Sequence, residues 1–125
     1  RWALRSVLVG RDADEALVDE VQSVISGTSK QLLSARLRAI LEVDVRTALA
    51  GCQLPMLSIR ASKDRLVSKR VNRRLSRSCA GMAEVQLAGP HLLAQVNPMG
   101  VAHEIEVFLR GLDGKRSGLA DPMVI

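Results

Sequence analysis

Aromatic side chains are almost missing from this chain: Trp2 and Phe108 stand alone among 125 residues, and there is no tyrosine. Aliphatic packing must therefore build whatever core exists. The same scarcity argues against nucleic acid as a partner, because single-strand binders interleave their cations with aromatic stacking platforms. Cysteine is equally sparse. Cys52 and Cys79 lie far apart, with no C-x-x-C pattern, so neither a disulfide framework nor a thiolate metal site is legible. Two free thiols in an aliphatic chain suit a reducing, cytoplasmic setting. No apolar stretch approaches the roughly 18 residues of a membrane span, and no basic-then-apolar leader opens the chain. It begins at Arg1 without a methionine, which predicts a piece of a longer product.

What is present is an aliphatic chain of one domain's length, 47% hydrophobic, with a net charge of +5. That charge is concentrated. Arg60, Lys63, Arg65, Lys69, Arg70, Arg73, Arg74 and Arg77 fall in one segment whose single acid is Asp64. Asp12 and Glu15 read as the capping box of a helix over 12–26, with Leu17, Val21, Val24 and Ile25 on one face. Thr28 and Gln31 offer a second box for a helix running to about Leu49, striped by Leu33, Leu37, Ile40 and Leu41 and stopped at Gly51. After Pro55 the period changes. Met56–Ile59 reads as a buried strand, residues 69–79 as a helix with Val71, Leu75 and Cys79 inward, and Val85 and Leu87 as a second strand ended by Gly89-Pro90. A last helix starts with Asn97 as cap and Pro98 in its first turn, carries Val101, Ile105, Phe108 and Leu109, and stops at Gly111. Strand, helix, strand at this spacing predicts a parallel pair joined by a right-handed crossover, an α/β class with at least one strand edge uncovered.

Two residues then stand out: Asp64 just past the first strand and His91 just past the second. Ligands and chemistry collect at the carboxyl ends of parallel strands. The strand Pro55-Met56-Leu57-Ser58-Ile59 leading to Asp64-Arg65-Leu66-Val67, the loop Gly89-Pro90-His91 and the Pro98-to-Leu109 helix resemble the C-terminal half of an α/β-hydrolase. The resemblance spans about residues 5–111 and divides the chain into a helical lid region (1–50), the C-terminal part of the hydrolase core (51–111) and a flexible tail (112–125). It implies an esterase-like enzyme cleaving a carboxylic ester or related acyl bond of a small-molecule substrate. His91 would be the general base and Asp64 the acid that orients it. Leu33, Leu37, Ile40 and Leu41 would line the substrate pocket beneath the lid. No cofactor and no metal are implied, and His91, His103 and the cysteines show no metal-ligand spacing.

The chain departs from the family upstream of these motifs. There is no G-x-S-x-G elbow; the nearest string, Gly27-Thr28-Ser29-Lys30-Gln31, lacks the last glycine and falls between helices, so Ser29 reads as a cap. The nucleophile is therefore expected outside this chain, and the strand edge is expected to need the missing N-terminal half or self-association. The resemblance to esterases that act on carrier-bound methyl esters implies that the basic stretch meets an acidic carrier protein. The alternative of another class is a non-catalytic module that docks an acidic partner through Lys69, Arg70, Arg73, Arg74 and Arg77.

Overall fold

In the computed structural model, which describes residues 1–79 and 81–117, eight short-to-medium helices surround a two-stranded parallel sheet among the described residues. Helix α1 (Trp2–Leu4) runs directly into a π-helical turn over Arg5–Val9. Gly10 then turns the chain at φ +89°, a region that favours glycine. Helix α2 (Glu15–Gly27) is capped by Asp14, whose Oδ1 accepts from Ala16 N at 3.1 Å, and not by Asp12 as the box pattern predicts. The reason is tertiary. The Glu15 carboxylate is taken by Arg1, at 2.7 Å, and by Arg5, so it ties the N-terminal helix down instead of reaching back to a cap.

Helix α3 (Lys30–Glu42) begins at Ser29, whose Oγ accepts from Leu32 N at 3.2 Å. The neighbouring Thr28 hydroxyl instead donates to Val24 O at 2.7 Å and closes α2. Continuation to Leu49 is interrupted. Asp44 accepts from Arg46 N at 3.1 Å and grips the Arg46 guanidinium at 2.6 Å, an Asx-type turn that restarts the chain as α4 (Arg46–Ala50).

Strands β1 (Leu57–Ala61) and β2 (Ala83–Leu87) pair in parallel, with Leu57 opposite Ala83 and Ala61 opposite Leu87. The crossover is α5 (Lys69–Ser78), capped by Ser68. Its arginines face outward as expected, but Val71 is also 54% exposed, leaving Cys79 as the buried anchor at its end. After β2 come α6 (Leu93–Val96) and α7 (Pro98–Ser117), which packs against both strands. Asn97 caps α7 by accepting from Gly100 N at 3.0 Å. Gly111 does not stop this helix: the segment 112–117, read as tail, continues it, and 118–125 lie outside the described residues. A glycine inside a helix need not end it, and weakens it by about 1 kcal/mol relative to alanine.

Complete burial is rare. Val9, Val18, Cys79 and Leu93 are the buried hydrophobic side chains among the described residues, and of these Val9 and Val18 are fully covered. Val18 was not on the face read for α2, whose Val24 is 64% exposed. No described helix is long and apolar enough to cross a membrane.

Candidate functional site

The strand ladder does not end with the strands. Ser62 N donates to Leu87 O at 2.9 Å and Lys63 N to Gly89 O at 2.9 Å, so the loop after β1 stays zipped to the loop after β2. Asp64 and His91 leave the sheet side by side because of this. The Asp64 loop folds around its own carboxylate: Oδ1 accepts from Leu66 N at 2.8 Å and Val67 N at 2.9 Å. The other oxygen, Oδ2, lies 3.0 Å from His91 Nδ1.

The His91 loop is braced from behind. Leu92 N donates to Leu8 O at 2.9 Å, and the Pro90 ring lies against Gly10, where an added Cβ would meet Pro90 Cγ at 3.4 Å. Gly89 gives Leu93 its place: a Cβ there would come within 2.5 Å of Leu93 Cδ1. On the acid side, Arg65 Nη1 donates to the Ser6 hydroxyl at 2.9 Å. The N-terminal segment thus clamps both loops. Nothing in the local pattern of residues 1–10 marks that role, because each contact is made to a partner more than fifty residues away; Gly10, the one glycine in that stretch, is the nearest thing to a signal.

The surroundings of Asp64 favour its charged form. Partial burial pushes the Asp64 carboxyl up, but the hydrogen bonds from Val67 N–H, His91 and Leu66 N–H together outweigh it and hold the group below the ordinary carboxylate range. With Asp64 ionised, Nδ1–H donates to Oδ2, and in the neutral ring the lone pair then lies on Nε2. The carboxylate is largely covered and the ring about a third exposed, so the imidazole is fixed at one nitrogen and reachable at the other. This arrangement can take a proton from a hydroxyl or thiol brought to Nε2.

A cleft of about 600 Å³ reaches Asp64 but is not lined by His91; Gly89 and Pro90 border it, with Arg5, Ser6 and Lys63 among others. Leu33, Leu37, Ile40 and Leu41 do not belong to it. Leu37, Ile40 and Leu41 are 62%, 67% and 85% exposed, so the structure brings the acid and base together but does not roof them with the α3 stripe. Ser29 is engaged as a helix cap, remote in role from the pair. His103 is exposed on α7. Cys52 and Cys79 are free thiols, and no group of three His, Cys, Asp or Glu side chains among the described residues could hold a metal ion. Lys69, Arg70, Arg73, Arg74 and Arg77 are all exposed, with no ion pair among the described residues.

No family model, curated protein or solved structure matches the chain.

Proposed function

We propose that this chain is the acid- and base-bearing part of an α/β-hydrolase-type enzyme that cleaves a carboxylic ester or related acyl bond. His91 is the general base, Asp64 orients it, and the nucleophile comes from a segment outside these 125 residues. The observation that carries the reading is the 3.0 Å contact between His91 Nδ1 and Asp64 Oδ2, made at the carboxyl ends of adjacent parallel strands with the second carboxylate oxygen held by two backbone amides. Asp64 forms its turn through Oδ1, and the support for the reading lies in Oδ2, which faces His91 Nδ1. A base orients catalysis only when something holds its far nitrogen, and here something does. The setting is cytoplasmic, consistent with two free thiols.

The reading predicts that the isolated chain hydrolyses p-nitrophenyl esters no faster than buffer, since it offers His91 neither a positioned nucleophile nor an oxyanion hole. Joining it to the coding sequence directly upstream of Arg1 is expected to supply a strand, a G-x-S-x-G turn and a helix, and with them turnover that depends on His91. Turnover by the isolated chain that disappears on His91→Ala substitution, or an upstream frame without such an elbow, would overturn it.

One observation favours a second reading. The five cations of α5 are exposed and carry no acidic neighbour on their own helix, as a docking face for an acidic carrier protein requires. On this reading such a carrier binds the chain at low salt and is released as ionic strength approaches physiological values, where screening shortens to about 8 Å. Salt-insensitive binding, or none, would remove it.

A further inference from the structure

A second cavity, of about 210 Å³, lies between the strand ends and the first turns of α5. Arg60, Ser62, Lys69, Asn72, Arg73 and Gln86 line it. Three of these are cations and three are neutral hydrogen-bonding side chains. Lys69 and Arg73 stand four residues apart on α5, where like charges repel and destabilise an isolated helix by a few tenths of a kcal/mol. Neither has an ionic partner among the described residues. Arg60 approaches Glu84 at 2.7 Å through one nitrogen, while its Nε is buried without an acceptor among the described residues. That nitrogen is closed to solvent, so the donors the cavity itself presents include those of Ser62, Lys69, Asn72, Arg73 and Gln86.

Two carboxylates are near, and neither fills the need. Asp64 borders the cavity, but Oδ1 is taken by Leu66 N and Val67 N and Oδ2 by His91. Glu84 is already shared between Arg60 and the Ser76 hydroxyl. The walls therefore keep an excess of positive charge and of donors. A planar carboxylate accepts along two oxygens. A phosphoryl group offers three acceptor oxygens and up to two charges, which suits cations and neutral donors arranged around one cavity. The volume is several times the ~30 Å³ that one water occupies, room for such a group and the first atoms attached to it.

We propose that this cavity binds a phosphoryl group, carried as free phosphate or as a small phosphate monoester. Asp64 borders both this cavity and the proposed hydrolase pair, but the side chains that would hold the ligand are others, and the site is tested without any assay of turnover.

The test is calorimetric titration of the 125-residue chain with inorganic phosphate and, separately, with glycerol 3-phosphate. Saturable, single-site binding is expected for at least one of them. Phosphate bound more tightly than the monoester identifies the free ion as the ligand, and the reverse order identifies an attached group. Lys69→Gln with Arg73→Gln is expected to weaken binding about tenfold or more, because two charge-assisted contacts are lost. Arg70→Gln with Arg74→Gln removes the same charge from the same helix but not from the cavity wall, and is expected to change affinity by less than about twofold. Absence of saturable binding, or equal loss in both double variants, would overturn the proposal in favour of a diffuse positive field. Should the first variant unfold, the amide shifts of the parent chain on phosphate titration decide. Changes concentrated at Ser62 and Lys69 to Asn72 support the cavity, and changes spread evenly along α5 reject it.

Discussion

Replacing His91 by alanine in the assembled enzyme, this chain joined to its nucleophile-bearing segment, is expected to lower kcat about 10⁴-fold or more. The magnitude follows from what the imidazole does in the proposed reaction. It removes the nucleophile's proton on attack and returns it to the leaving group. Asp64→Asn is expected to cost kcat about 10³- to 10⁴-fold, since an amide can present its NH₂ to the ring and favour the wrong tautomer. The double variant should be little worse than His91→Ala alone, because the members of such a set act as a unit. Steady-state kinetics on an activated ester measures all three. A drop of less than about tenfold for His91→Ala would remove this histidine from the mechanism.

The largest stability effect is expected at Asp64. Its carboxylate satisfies two backbone N–H groups and one ring nitrogen at once, so Asp64→Ala deprives three donors of their acceptor. Val67 N–H is half-buried and loses its partner outright, whereas Leu66 N–H can turn to water. At about 1–3 kcal/mol per stranded donor, the expected loss is about 2–4 kcal/mol by urea denaturation. Asp64→Asn keeps an acceptor oxygen for the loop and is expected to lose about 1 kcal/mol.

The difference between wild type and Asp64→Asn also has a predicted pH dependence. The native carboxyl is held below its unfolded value, so its contribution is complete above that unfolded value, about pH 4. It declines as pH falls toward and through the native value. Denaturation curves at pH 7 and pH 3 should show the two proteins converging. A gap that widened on acidification would contradict the assigned direction.

The pair was legible in the sequence because everything that creates it is local or nearly so. Short apolar runs after Pro55 and before Gly89 specify the strands, the crossover length makes them parallel, and acid and base sit in the loops that follow. Ser29 and Asn97 were readable as caps for the same reason: a cap acts within three residues. What escaped was fixed at long range. Glu15 was diverted from a capping box by Arg1 and Arg5, and the clamp of Ser6, Leu8 and Gly10 on the two loops has no periodicity to reveal it. The role of the α3 stripe was not legible, for a different reason. Periodicity reports that a helix has an apolar face, but not what covers it, and Leu37, Ile40 and Leu41 are exposed.

The two bonds that prolong the ladder, Ser62 to Leu87 and Lys63 to Gly89, have a bearing on tolerance to change. They are main-chain bonds, so the separation between the acid loop and the base loop is inherited from the interstrand repeat of about 4.8 Å rather than from any side chain. Replacements along either strand that keep the pleat can drift freely while the proton-handling geometry stays where the peptide units put it.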